Sequence, residues 1–516
     1  MSAILAPQYP SRPAKINTMN ATTTTVPARK SSRRNLPPGP RGWFVFGNVP
    51  LPGGDWLAGF ERAARNFGDV VYFQFLHVPM TMLVHPDDIE SVLLTDPANV
   101  HKSRDYRALS KVLGHGLLTS EGEEWRAQRK MLQPAFRREN ILSYAPVMSE
   151  CAVRMMARWH DGETRDLHQE MMALTLDIVA RALFGTDVSS STARVGSALE
   201  TAMKQFTRIA GWAFLLPDGF PVPGTRRMRR ARLELDKIIY GIIRERRAHE
   251  EKSYAGNSRD LLGALLQIRD EARRPLSDLQ LRDQLMTLFL AGHETTAIAL
   301  SWTWYLLATN PDAERKLHAE LDDVLRGRAP VAEDLPRLPY TEMVIKESMR
   351  LYPPAWGIGR QSRTEFNVGG YTLPARTNIF LIPWVTHRDA RFFPEPEKFI
   401  PERWRDDVLK NPAADVEQGE VSSANNLGAE LSSKQRCPAV DYSAQNQRRP
   451  RFAYFPFGGG PRVCIGAGLA MMESTLLLAT VAQRFRFELV PDHPIKLFPS
   501  VTLRPKYGIR AVLRAR

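Results

Sequence analysis

Cysteine is scarce: Cys151, Cys437 and Cys464 are all that 516 residues contain. Three scattered thiols cannot build a disulfide framework, and their number points to a reducing, cytoplasmic setting. Acids are missing altogether from residues 1–41, where Arg12, Lys15, Arg29, Lys30, Arg33, Arg34 and Arg41 carry seven of the fourteen net positive charges. That Pro/Ser/Thr-rich stretch has too little apolar surface to order itself, so residues 1–36 read as a disordered basic tail. The excess that remains is modest for so long a chain and argues against nucleic-acid binding; a basic patch for an acidic protein partner fits it better. The first residues lack the apolar run of a signal peptide or membrane anchor. One stretch, 285–308, has membrane length, but Glu294 would fall near its middle, where a charge is costly in lipid. It reads instead as a buried helix.

The chain also lacks internal repeats, and only one long polar break interrupts it, at 405–450, which reads as a flexible insertion. The remainder, 37–516, is expected to form a single domain. Pro37-Pro38-Gly39-Pro40 makes a rigid lead-in, and alternating segments at 70–75 and 80–84 predict strands of a small sheet. From about Ser120 to Ala329 helix formers dominate. Ser277 is a good N-cap for one long helix that Asn310-Pro311 stops. Another helix starts after Pro339 and ends at Tyr352-Pro353-Pro354, strand patterns return in 366–384, and a last helix follows Gly466. The fold class is mainly α (α+β), a large helical body with a small β-rich part.

Four segments carry chemistry. Phe457-Gly458-Gly459-Gly460-Pro461-Arg462-Val463-Cys464-Ile465-Gly466 sets a cysteine behind a loop with little side-chain bulk, where a flat cofactor can approach, and just before a helix N-terminus that favours a thiolate. A lone buried cysteine after a glycine turn would be commonplace, but five fixed positions in ten are not. Ala291-Gly292-His293-Glu294-Thr295-Thr296 places Gly and Thr in a helix interior that normally avoids them, which predicts a local distortion. An acid beside a hydroxyl in an apolar wall can relay protons. Glu347 and Arg350 are three apart on one helix face and can pair. Trp125 and Arg129 share a face of another helix, and indole and guanidinium N–H groups suit carboxylates.

Together, and in this order along the chain, these motifs resemble those of the cytochrome P-450 superfamily from about residue 37 to the end. The resemblance implies the cytochrome P-450 fold and a haem b held by Cys464 as axial thiolate. It implies oxygen activation assisted by Glu294 and Thr295, and propionate contacts from Trp125, Arg129, Arg360 and Arg462. It makes Arg403 the third member of a structural network with Glu347 and Arg350, and leaves His293 without a catalytic role.

The implied activity is a monooxygenase that inserts one atom of O2 into a lipophilic small molecule, a fatty acid or terpenoid. Apolar residues at Tyr106–Leu118, Phe206–Val222, Leu288–Ala291, Ala355–Gly359 and Phe498–Thr502 would line its pocket. No G-x-G-x-x-G fingerprint and no cysteine cluster supplies a flavin, dinucleotide or iron–sulfur site. Electrons from NAD(P)H are therefore expected through a separate ferredoxin or flavodoxin and its reductase, docked on a basic surface that includes Arg126, Lys130, Arg137, Arg138, Lys434, Arg436, Arg448, Arg449 and Arg451. A monomer without a membrane anchor is expected. A peroxide-driven relative would tend to lose the acid–alcohol pair, and a non-catalytic haem sensor would not need it.

Overall fold

The computed structural model describes residues 36–41, 55–75, 78–103, 105–184, 225–252, 261–269, 274–410 and 449–516. Residues 1–35, Cys437, most of the 405–450 stretch and the expected pocket segment Phe206–Val222 lie outside them.

The central element is the helix Asp278–Thr309, which begins where the sequence places it, at a capping box of Ser277 and Gln280, and stops at Asn310. Most of its residues are buried, which explains an apolar run of this length without lipid. No described helix is long and apolar enough to cross a membrane. Among the helices that pack on it are Leu167–Phe184, Pro339–Leu351 and Ala467–Ala482. They share one hydrophobic core that contains Trp302, Leu300, Ile345 and Leu476. A second core, on the flank of the long helix, joins Leu285, Phe289 and Leu290 to Leu113, Leu235 and Leu262.

The β-rich part is a five-stranded sheet, ordered Val70–Phe75, Val78–Leu83, Asn378–Leu381, Ile358–Ser362, Val100–Lys102. The pairing Val78–Leu83 with Asn378–Leu381 is parallel and the other three are antiparallel. The lead-in is tied to it: the Pro38 carbonyl accepts from the Tyr72 N–H at 2.8 Å. Beside it, a Cβ on Gly39 would collide with the Tyr72 carbonyl oxygen. At the edge of the sheet Lys102 lies opposite Arg360, and this register gathers two cations at one spot.

The two ends of the 405–450 stretch meet. Arg449 donates to the Arg403 carbonyl at 2.8 Å, pairs with Asp407 and stacks over Trp404. Arg449 therefore belongs to the packing around Trp404 and not to the docking surface expected for it, because an aromatic face and a carbonyl hold its guanidinium there. Arg451 is exposed, and Lys434, Arg436 and Arg448 fall outside the described residues.

Candidate active site

Backbone conformation builds the cysteine loop. Gly458 and Gly460 have φ of 74° and 65°, and a Cβ on Gly460 would stand 1.8 Å from the Leu93 carbonyl oxygen. A Cβ on Gly459 would run into the Phe452 ring, so these glycines let the loop seat against its own neighbours as well as leave a face free of bulk. The Cys464 N–H donates to the Phe457 carbonyl at 3.0 Å and closes the loop. Cys464 is exposed to solvent, although enough protein lies close to its thiol to desolvate it. Burial raises the thiol above its ordinary range, while the Gly466 amide and the Arg129 charge pull the other way. The expected pull toward thiolate is present, but burial outweighs it until a cation binds the sulfur.

Arg129, on the helix Gly122–Leu132, donates to the Val463 carbonyl at 2.6 Å. Trp125, one turn earlier, lies under the Arg462 guanidinium at 4.1 Å. Arg462 also donates to the Ser120 carbonyl at 3.2 Å and to Glu121. Burial, and then neighbouring Arg360, lower Arg462 to about 10 against the opposing pull of Glu121. Lys102 joins this group: its ammonium donates to the Ser120 and Leu117 carbonyls at 3.0 and 3.3 Å, and its amide to Glu121 at 2.9 Å. Burial, followed by Arg462 and Arg360, lowers Lys102 to about 7. Sequence reasoning missed both Lys102 and Glu121, because neither lies in a motif and only strand pairing brings Lys102 to Arg360. Glu121 meets Arg462 and the Lys102 amide, and the Arg360 charge bears on both cations, so cationic groups outnumber the carboxylate in a way that suits a ligand with two carboxylates.

In the long helix, Leu288, Phe289 and Leu290 are buried, then Ala291 is exposed and Gly292 and Thr295 are half-buried. An exposed alanine in the middle of a buried helix leaves room for a ligand on that face. The helix runs through without interruption, so the expected distortion is not a break; the Thr295 hydroxyl bonds back to the Ala291 carbonyl at 2.7 Å. Glu294 is buried, and its Oε1 accepts from Arg504 Nε at 2.8 Å and from the Thr502 hydroxyl. His293 is buried too, and burial followed by the Arg504 charge lowers it to about 4, which keeps the ring neutral.

Asp283 and Gln284 of the same helix hold the segment around Leu117: they accept from the His115 and Leu117 amides at 2.7 and 3.0 Å. No sequence motif announced this anchor. Trp356, expected in the pocket wall, packs with Phe60 and Phe380 and donates to the Ser500 carbonyl at 2.9 Å.

The Glu347 network forms as expected. Glu347 accepts from Arg350 twice at 2.9 Å, and from Arg403 and Trp404, also at 2.9 Å.

The donor set fits a haem: one exposed cysteine, cationic groups in excess of carboxylate, and an apolar helix wall with an exposed alanine in it. A family model described as Cytochrome P450 matches residues 37–510. Cyclooctatin synthase of Streptomyces melanosporofaciens is 34% identical over 489 residues, covering 93% of this chain and 96% of the relative. Cyclooctat-9-en-7-ol 5-monooxygenase of the same organism is 34% identical over 452 residues, 86% and 89% of the two chains. Pentalenene oxygenase of Streptomyces avermitilis is 30% identical over 479 residues, 91% and 96%.

Proposed function

Because the chain belongs to the cytochrome P450 family of monooxygenases, we propose that it inserts one oxygen atom from O2 into a lipophilic, terpenoid-like molecule with electrons from a separate protein. The observation that carries this reading is Cys464, an accessible thiol inside a loop locked by glycines and by Arg129. Bound by Cys464, haem would supply oxygen activation, since a thiolate ligand pushes electron density toward O–O cleavage.

The protein's own residues divide the remaining work. Arg129, Trp125, Arg360, Arg462 and Lys102 would orient the two carboxylates of the cofactor. The Thr295 hydroxyl, on the open face of the long helix, would hold a proton close to the reacting centre, and Glu294 would replenish it. Leu288, Phe289 and Leu290 keep bulk water from that side. A terpenoid is favoured over a fatty acid by the relatives that oxidise terpenoids.

Electron delivery would use the end of the helix that touches the cysteine loop. A Cβ on Gly466 would lie 3.8 Å from the Phe136 ring, and Lys130, Arg137 and Arg138 near it are exposed. An acidic ferredoxin or flavodoxin fits such a surface. Reversing Lys130 and Arg137 to Glu should slow reduction by the partner and leave haem content unchanged; stopped-flow reduction at two ionic strengths checks this.

Replacing Cys464 by His tests the core of the reading. The ferrous carbon monoxide complex should lose its thiolate-type red-shifted Soret band, because imidazole cannot donate charge as sulfur does. Persistence of that band in the variant would place the ligand elsewhere.

A further inference from the structure

The helix Ala467–Ala482 starts three residues after Cys464, and Glu473 is the one charged residue in it. Only 3% of Glu473 is exposed, and one of its carboxyl oxygens is buried without a hydrogen-bond partner. Its neighbours Met471, Met472, Leu476 and Leu477 belong to the core shared with Met148 and Ile345. A carboxylate in such surroundings lacks both water and a counter-ion, so the protonated form is favoured. Neither oxygen activation nor cofactor binding uses this group.

The charged groups of the elements packed on this helix are engaged elsewhere. On Ala145–Met156, Arg154 meets Asp177 at 2.7 Å and the Cys151 sulfur at 3.0 Å. On Pro339–Leu351, Lys346 pairs with Glu342 at 3.0 Å, and Arg350 with Glu347. The long helix offers Glu294, held by Arg504, and His293, which is neutral. On Pro311–Leu325, burial keeps His318 neutral, and Glu320 accepts from the Tyr340 and Thr341 amides. Asp334 meets Arg328, Glu488 meets Arg486, and Arg138 and Glu139 are exposed. None of them offsets burial at Glu473, which lifts the carboxyl to about 8.

We infer that Glu473 binds a proton from solvent when an electron reaches the iron held by Cys464, so that this helix links electron delivery to proton uptake. The inference rests on the reading of Cys464 as the haem ligand. One electron from the donor protein turns ferric iron ferrous, and one proton from water joins the Glu473 carboxylate. From Cys464 to Glu473 the chain runs nine residues, most of them helical, a separation on the order of 10 Å. At that distance one added negative charge strengthens proton binding on the order of tenfold. Below about pH 8 Glu473 is already neutral, and the arriving electron meets no negative charge on this helix. Across roughly one further pH unit reduction takes up a proton, so the midpoint potential falls as pH rises. Beyond that window the carboxylate stays charged in both redox states, and the fall ends.

The test uses the haem-loaded protein as wild type, Glu473→Gln, Glu473→Asp and Lys102→Met. Readouts are the ferric–ferrous midpoint potential against pH, and the infrared difference between the two redox states inside the window. The wild-type potential should fall by about 59 mV above pH 8, the equivalent of a tenfold change for one electron. Glu473→Gln should remove that fall, and Lys102→Met, which alters only the contacts to the cofactor's carboxylates, should leave it in place. Reduction should also raise a protonated-carboxyl band that shifts with isotope-labelled glutamate. That band should be absent in Glu473→Gln and insensitive to the glutamate label in Glu473→Asp. An unchanged fall in Glu473→Gln, or no such band in wild type, would overturn the inference. The ferrous carbon monoxide spectrum of the same samples keeps the two readings apart. Without a red-shifted Soret band the Cys464 assignment falls and takes this one with it; with the band present, a negative result removes only the role of Glu473. Should Glu473→Gln fail to hold haem, the label shift in wild type and its loss in Glu473→Asp decide.

Discussion

Around Glu347, Arg350 uses all five of its N–H groups: two on the carboxylate and three on the carbonyls of His387, Pro396 and Lys398. Trp404 and the Ile400 amide complete the shell at 2.9 and 3.0 Å. Around Arg462 the arithmetic differs. Arg462 places two donors, on Ser120 and Glu121, and Arg360, 7% exposed, places one on the Gly359 carbonyl. Both clusters contain buried guanidinium groups, yet one is closed and the other has donors to spare. Closed networks hold a fold together; donors left over beside a carboxylate shortage mark where a ligand is to be met.

The largest effect that could break this contrast is Glu347→Ala. Burial alone would push Glu347 up, but Arg350 and Arg403 outweigh it and hold the carboxyl below its ordinary range. A carboxyl lowered by folding stabilises the fold above its unfolded value near 4.5, and that support is lost as pH falls through the lower folded value. Removing it strands two cations in the core at a cost of about 3–5 kcal/mol. Soluble holoprotein should nearly vanish, as expression and thermal melts will show.

Arg462→Ala should behave in the opposite manner. The haem-free chain should melt close to wild type, while haem affinity should fall about tenfold or more, the worth of one charge-assisted hydrogen bond at ~1.5–3 kcal/mol. Spectroscopic haem titration of the apoprotein measures it, and an equal loss of apoprotein stability would erase the distinction between the clusters.

Lys102 sharpens the comparison through pH. It is depressed to about 7 in the haem-free fold, and carboxylates brought by the cofactor would restore its charge. Haem binding should then take up a proton between about pH 7 and the ordinary lysine value of 10.5, so that affinity falls as pH rises through this window. Lys102→Met should bind more weakly below pH 7 and show a flatter profile.

The smallest effect concerns a third buried acid. Glu473, on the helix that follows the cysteine loop, has an oxygen with no hydrogen-bond partner, and burial raises it to about 8. A carboxyl raised by folding withdraws stability as pH climbs from its unfolded value near 4.5 toward 8. Glu473→Gln should therefore gain in melting temperature relative to wild type across that interval, and a constant difference would show that the group titrates normally.

Much of this was legible in the residues. Ser277 and Asn310-Pro311 fixed both ends of the long helix because capping and proline act locally. The cysteine loop could be read because its glycines answer to a few neighbouring atoms. Arg403 was placed beside Glu347 only through the family resemblance, since nothing local connects residues 56 apart. For Trp356 the residues carried no sign of its partners, and only the fold set it against Phe60 and Phe380 and on the Ser500 carbonyl. Arg449 was assigned to a surface for a similar reason: charge was visible in the sequence, and the Trp404 ring beneath it was not.

The sequence by itself determined the helical body, the cysteine that can hold a haem, the acid and alcohol in adjacent positions, and the buried pair three residues apart. Each of these follows from short-range geometry, in which spacing along the chain translates directly into position. Only the tertiary structure decided that Lys102 and Arg360 meet across two strands, that Glu121 meets Arg462, and that Glu294 turns to Arg504. These are contacts between residues hundreds of positions apart in the chain, set by sheet register and helix packing, and no local pattern encodes them.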